Sequence, residues 1–473
     1  MTVLHEQIAE ALVRSTAVAV VSLLVAVPLR DFLMASSRRS RASAWMALLA
    51  PYITPSLLVG YAYAPVALAL LRQPAWSQFL YGLVLLLRFT PVAALVLHFA
   101  PPPLSPEAAH CYDSLQGQSF WKRLCFKGRG AGAGPAIAFV LVFLFCFSEF
   151  ELASMWTIKT WGVTIFDRHA GGLPPSESLR LTTLPAAIQT CLLLVVAVLL
   201  ARGQWSRMPG NRVVTLRAGA RWFSGGYLAA GVLGILVAPV VTVLASGFPG
   251  FSSLFQNFAA ARDVGASFLF AFAASCSVTF LAWLLAKRTL LALVFAVIGL
   301  FGALPIALVM VALFQAPLLR SLYDTPLPLL LALTLILFPT AWLLRSTLRA
   351  VRPGPALHLA QILANRRLVW DLKAGREFWA AYLLFCLAYF ELTASAIAAP
   401  VGMTPVVVRL FNLMHYGRTA VLSALLCVSL LAPLALLVFA FAGRLVVPTH
   451  VGAVQGGTQS RLAQRRTPAE KKG

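Results

Sequence analysis

Residues 145–153 read Phe-Cys-Phe-Ser-Glu-Phe-Glu-Leu-Ala, and residues 385–393 read Phe-Cys-Leu-Ala-Tyr-Phe-Glu-Leu-Thr, one motif at an offset of 240. Each copy lies in a long apolar run, follows a basic loop and precedes one more loop and one last apolar run of its half. Leu, Phe and Ala matches are cheap in an apolar chain; the shared Phe-Glu-Leu, with a carboxylate inside such a run, is not. This aligns Glu151 with Glu391. Upstream, Ile53-Thr54-Pro55-Ser56-Leu57-Leu58 lines up with Ala303-Leu304-Pro305-Ile306-Ala307-Leu308 at an offset of 250. An internal repeat bears on the fold before any single motif does, because each copy is a unit that packs against the other.

The surrounding composition says which solvent the repeat sits in. Of 473 residues, 60% are apolar and 11% charged, against about 25% charged in ordinary soluble domains. Mean hydropathy is +0.84. A soluble chain would have nowhere to put this apolar surplus, so a soluble enzyme and a disordered chain are both excluded. A helix needs roughly 20 apolar residues to cross the hydrocarbon core. Eleven runs qualify: 11–33, 44–71, 77–100, 132–156, 181–201, 222–246, 264–286, 289–316, 325–348, 377–399 and 419–443. Prolines inside several of them are tolerated where neighbours satisfy the freed backbone groups.

The net charge of +23 is a matter of topology. Loops 30–43, 101–130, 202–221, 287–288, 345–376 and the tail from Arg444 carry 28 of the 38 Lys and Arg. Such loops face the cytoplasm, which places the N-terminus outside and the C-terminus inside and leaves no need for a nucleic-acid partner. Glu6 and Glu10 stand where a signal peptide would be basic, so the first run is expected to remain as a span. The halves divide as 1–210, with five spans, and 211–450, with six, followed by a flexible cytoplasmic tail over 451–473. Because of the extra span 222–246, both halves keep the same orientation, as parallel repeats about an axis along the membrane normal.

An ionisable group at membrane depth costs roughly 2.5–3.5 kcal/mol on insertion scales and faces a cavity or a partner. Arg88, Glu149, Glu151 and Glu391 qualify. Glu151 and Glu391, with Glu149, are candidates for a translocation pathway, where they would bind a cation, relay protons or set the field; the alternative is that each is structural glue. In loop 101–130, Ser105-Pro106-Glu107 is a helix start, and a short amphipathic helix on the cytoplasmic face is expected after it. Pro353 to Ala364 repeats the plan, with His358 and Ala360. These helices either lie on lipid or form docking surfaces for a cytoplasmic motor. Gly128–Gly134 is followed by no Gly-Lys-Ser/Thr and is not a phosphate-binding loop. The seven Cys form no CxxC pair and the seven His no cluster, so no cofactor or metal site is expected in this chain.

These features resemble the fused, two-half permeases of binding-protein-dependent ABC importers, in particular the iron(III), thiamine and aminophosphonate group. Three stretches carry the resemblance. Glu107-Ala108-Ala109 and then Gly117 stand where that family keeps its EAA coupling helix. Phe150–Ala153 and Phe390–Ala394 are similar to its acidic segment, and Val408–Gly417 looks like the loop before its last span. Seven residues separate Ala109 from Gly117 where the family has three, and the second half has Leu357-His358-Leu359-Ala360 in place of the motif. The resemblance implies an all-α type I importer permease fold in a bacterial inner membrane, with no catalytic activity of its own. It implies coupling loops built on Glu107, Ala108, Ala109, Gly117, His358 and Ala360. The implied partners are a cytoplasmic ABC ATPase dimer that uses the ATP and a solute-binding protein docking outside on 157–180 and 400–418. Within the group, ferric iron is the expected cargo. The alternative from the residues alone is a proton-coupled secondary transporter using Glu151 and Glu391.

Overall fold

A computed structural model describes residues 2–99, 133–201, 218–255, 259–350, 354–363, 375–417 and 419–446, with scattered positions in the two long loops. Among the described residues every regular element is helical. Eight helices are long and apolar enough to cross a membrane, and two sharply bent pairs raise that to as many as ten. The chain is a multi-pass helical membrane protein. The tenth expected span, 377–399, is not one helix: it divides into Gly375–Tyr389 and Thr393–Ala398, as the fourth, 132–156, divides into Gly134–Phe147 and Glu151–Met155. Fifteen residues rise only about 22 Å, short of the roughly 30 Å hydrocarbon core.

The helices fall into two arrays with the same order. The first contains α1 (Thr2–Ala35), the pair α2 (Arg38–Ile53) and α3 (Ser56–Ala69) bent by 71°, α4 (Pro74–Phe99), the broken helix α5 (Gly134–Phe147) and α6 (Glu151–Met155), the short α7 (Trp161–Ala170) and α8 (Pro175–Ala201). A long segment, α9 (Ala218–Leu254), follows, with a wide-turned stretch over Val232–Val237. The second array contains α10 (Ala259–Leu284), the pair α11 (Thr289–Gly299) and α12 (Ala303–Gln315) bent by 100°, and α13 (Leu327–Ala350). It ends with the loop helix α14 (Gly354–Ile362), the broken helix α15 (Gly375–Tyr389) and α16 (Thr393–Ala398), the short α17 (Val406–His415) and α18 (Thr419–Val446). In each array the leading helix, the straight helix and the broken helix pack pairwise: α1 with α4 and α5, α10 with α13 and α15. α9 stands outside both trios. It lies on α1, α2 and α3 of the first array and on α18, with the Tyr63 hydroxyl donating to the Gly234 carbonyl at 2.6 Å and the Tyr227 hydroxyl to the Leu86 carbonyl of α4 at 3.1 Å.

The structure corrects the register of the repeat. α5 ends at Phe147 and α15 at Tyr389, while α6 begins at Glu151 and α16 at Thr393, an offset of 242. Three turn hydrogen bonds agree: Ser148 N to Leu144 O, Glu149 N to Cys146 O and Ser154 N to Phe150 O recur as Phe390 to Cys386, Glu391 to Ala388 and Ala396 to Leu392. The mate of Glu391 is therefore Glu149, not Glu151, whose mate is Thr393. The Phe-Glu-Leu match is real as sequence, but the helix ends sit two residues out of step with it. Likewise the second limb of each bent pair starts at Ser56 and Ala303, an offset of 247 where sequence alone gives 250. By α7 and α17 the offset is 245, and the left-handed turn residue that precedes them is Thr157 (φ 55°) in one array and Gly402 (φ 85°) in the other.

One polar contact at matching positions of the short helices ties each of them to the leading helix of its own array. In the first, the Thr164 hydroxyl of α7 donates to the Gln7 side-chain carbonyl of α1 at 2.7 Å. In the second, Arg409 of α17, at the same offset of 245, forms an ion pair with Asp263 of α10 at 2.5 Å. The Asp263 side chain is 1% exposed and that of Arg409 is 30% exposed. A neutral hydrogen bond and an ion pair thus fill one structural role. Arg409→Thr leaves the buried carboxylate to the more distant, exposed Arg262 at 3.8 Å and is expected to cost about 1–3 kcal/mol, less than the roughly 3–5 for a fully buried pair because Arg262 remains and water reaches Arg409. Asp263→Gln added to Arg409→Thr rebuilds the pair of the first array and should recover most of the loss. Thermal unfolding of the four forms in detergent reads the coupling; additive effects would show that the two contacts are not equivalent.

Candidate functional site

Four helix breaks gather where the arrays meet: 54–55 between α2 and α3, 148–150 between α5 and α6, 300–302 between α11 and α12, and 390–392 between α15 and α16. A break releases backbone N–H and C=O groups that must find partners in the absence of water. Side chains from elsewhere supply them. Arg88 on α4 donates through one terminal nitrogen to the Thr54 carbonyl at 3.0 Å and through the other to the Ser56 hydroxyl at 2.8 Å. The Trp161 indole donates to the Phe147 carbonyl at 2.8 Å, and Gln189 on α8 donates to the Phe301 carbonyl at 3.0 Å. Gln189 belongs to the first array and Phe301 to the second, so this bond also joins the halves.

The freed amides are met by carboxylates. Glu149 accepts from the amides of Leu152 at 2.6 Å and Ala153 at 3.3 Å, capping α6. Glu391 accepts from Ala394 at 2.8 Å and Ser395 at 3.4 Å, capping α16 in the same i+3, i+4 pattern. A carboxylate at a helix start satisfies free N–H groups and complements the positive end of the helix dipole. Glu149 also accepts a short hydrogen bond from the Tyr81 hydroxyl, and the Arg14 guanidinium lies 4.9 Å from the Tyr81 ring centre. Glu151 does something different. Its carboxylate accepts from the Leu392 amide of the other array at 2.9 Å, so it bridges the first broken helix to the second.

The breaks also touch directly. Gly302, at φ +92°, is the residue before α12, and a Cβ there would stand 2.8 Å from the Ser148 Cβ. No side chain fits, and the left-handed backbone is one that glycine alone adopts without cost. The 300–302 and 148–150 breaks therefore come together because residue 302 has no side chain. Glu149, Glu151 and Glu391 are all half-buried, while Arg88 beside them is 7% exposed. The result is a junction of three carboxylates, one guanidinium and open helix ends between two repeated arrays. It can hold a proton or shape the local field. Among the described residues no three His, Cys, Asp or Glu side chains are gathered as metal ligands.

The structure thus brings Arg88 of α4 and Glu151 of α6 together with Glu149 and Glu391 of the two breaks. Of the expected coupling residues, Glu107, Ala108, Ala109 and Gly117 lie outside the described residues. His358 and Ala360 lie on α14, the histidine exposed and the alanine buried. Tyr81, Gln189, Trp161 and the pairs Gln7–Thr164 and Asp263–Arg409 are contacts that sequence reasoning passed over. The available signal was polarity inside or at the edge of an apolar run: Gln189 lies within 181–201, and Asp263 directly precedes 264–286.

No protein-family model, no curated protein and no solved structure matches this chain, so its function is argued from its own residues.

Gly302→Ala is expected to lower the stability of the detergent-solubilised protein by about 1–3 kcal/mol, through a methyl against Ser148 and a positive φ held by a non-glycine residue. Adding Ser148→Gly removes the contact but not the backbone strain, so the double variant should regain only part of the loss. Thermal unfolding of the three forms tests this; an unchanged midpoint for Gly302→Ala would show that the breaks do not meet there.

Proposed function

We propose that the chain is the permease subunit of a binding-protein-dependent ABC importer, moving a small solute inward across a bacterial inner membrane, with ferric iron as the leading cargo. The observation that carries this reading is the pair of similarly ordered arrays meeting at their helix breaks. Transporter halves of this kind place their path at the repeat interface, where discontinuous helices present carboxylates, open amides and carbonyls to the solute. In this reading the repeats are parallel, the N-terminus is outside and the C-terminus inside, as the distribution of Lys and Arg implies. The fold is then that of a type I importer permease.

The chain carries no nucleotide-binding motif, so in this reading a separate ABC ATPase dimer uses the ATP, and a solute-binding protein delivers the cargo to the surface of α7 and α17. Support for a cytoplasmic partner comes from α14, the described loop helix. It is anchored by the buried Ala360 and displays Leu359, Ile362 and Leu363 at 59%, 68% and 60% exposure, next to the exposed His358. Such an apolar edge on a loop helix suits insertion into a cleft of another protein. A second reading is a proton-coupled secondary transporter. It is favoured by the bond from Glu151 to Leu392, which any separation of the halves breaks, leaving the carboxylate to take up a proton.

Purification from membranes in mild detergent, with mass spectrometry of co-purifying chains, tests the reading. A stoichiometric ABC ATPase is expected. It should be lost when residues 107–117 are replaced by a Gly/Ser linker, and weakened by Leu359→Ser with Ile362→Ser. A chain recovered alone, under conditions that keep ABC complexes intact, overturns the importer reading. Uptake that collapses with an uncoupler and is abolished by Glu151→Gln with Glu391→Gln would then establish proton coupling.

A further inference from the structure

Beyond the carboxylate junction, one contact joins the arrays through identical positions. Phe166 on α7 and Phe411 on α17 are repeat mates at the offset of 245, and their rings meet edge to face with centroids 6.4 Å apart. A residue that touches its own mate lies on the approximate twofold axis relating the halves. Their neighbours Ile165 and Leu410, also mates, are both fully buried, so the two helices are seated in their arrays in the same way. Phe150 packs on Phe166 with centroids 4.7 Å apart, and Phe150 is the residue between Glu149 and Glu151. On the far side, Phe411 packs on His415 at 4.3 Å, and both His415 and Asp167 are exposed.

A line of rings, Phe150, Phe166 and Phe411, therefore runs from beside the half-buried carboxylates to an exposed polar edge. We propose that Phe166 and Phe411 are the seal that closes the passage on the side of α7 and α17, resting on the transport reading above. An apolar constriction on the axis excludes water and ions without a plug, by making the narrow segment unfavourable to wet. Aromatic rings suit this, since an edge-to-face pair is favourable at short range and releases by a small displacement of either helix. The two rings come from different arrays, so relative movement of the halves opens the seal, and the same movement strains the bond from Glu151 to Leu392.

The test uses the full-length chain with its native cysteines replaced by alanine and Glu151→Cys as reporter. A membrane-impermeant, positively charged methanethiosulfonate is added to intact spheroplasts. With both phenylalanines present the reporter should label slowly. With Phe166→Ala and Phe411→Ala together, the rate should rise by about tenfold or more as the constriction wets. Phe166→Leu with Phe411→Leu, which keeps apolar bulk, should stay slow, and this separates the loss of a seal from general loosening. Equally fast labelling in all three forms means an open route that these rings do not close, and overturns the seal while leaving the transport reading standing. Labelling in none, with the protein monodisperse in detergent and the thiol reactive after denaturation, means no aqueous route reaches the junction from that side. That result overturns the seal and the passage together.

Discussion

A carbonyl or amide released from a helix inside hydrocarbon has no water to turn to, and this constraint organises the junction between the two arrays. The protein breaks its helices in four places and answers the breaks with side chains carried on other elements. Arg88 reaches the Thr54 carbonyl, Trp161 the Phe147 carbonyl and Gln189 the Phe301 carbonyl, while Glu149 and Glu391 take the amides that follow. An uninterrupted helix would have been cheaper at each place. Gathering the breaks at one junction lets open helix ends face one another across two halves. Polar groups are costly to place in apolar surroundings, and here each one offsets that cost by satisfying a freed backbone group.

The two arrays show which parts of this solution are fixed. Both keep a bent pair, a broken helix with a carboxylate cap, a short helix tied to the leading helix, and a phenylalanine on the axis. Between them the chain varies the chemistry and keeps the geometry. Gln7 with Thr164 becomes Asp263 with Arg409. Thr160 caps α7 with its own hydroxyl, whereas Pro405 has no such group and the first amide of α17 goes instead to Ser267 of α10 at 2.8 Å. What must be conserved between the arrays is that each freed group has a partner, and several residue types meet that need.

This explains how much of the fold was legible in the sequence. Composition and run length gave the membrane class, and the two Phe-Glu-Leu segments gave the existence and topological place of the repeat. The depth of Arg88, Glu149, Glu151 and Glu391 was readable because charge in an apolar run stands out. The register was not readable, because motif identity reports residue types while register is set by where hydrogen bonds stop. Glu391 resembles Glu151 in its neighbours but matches Glu149 in the amides it accepts. Hydropathy reads 377–399 and 132–156 each as one run, because it cannot see a carboxylate that ends one helix and starts the next. Gln189 and Gly302 escaped notice because their partners, Phe301 and Ser148, are remote in sequence.

The departures from symmetry have a direction of their own. Glu151 bridges to Leu392, but its mate is Thr393, and Phe150, the mate of Leu392, receives no corresponding bond among the described contacts. The link between the broken helices is therefore single, held by one charge-assisted hydrogen bond. The short helices differ in the same sense, since a neutral hydrogen bond holds α7 and an ion pair with a buried carboxylate holds α17. A neutral bond contributes about 0.5–1.5 kcal/mol net, whereas removing one partner of a buried pair strands a charge and costs several times that. The first array thus supplies the inter-half link, and its short helix is held by the Thr164–Gln7 bond and the Trp161 indole, where the second array uses an ion pair and Ser267. Two halves built on one plan meet at their breaks without being chemically equivalent there.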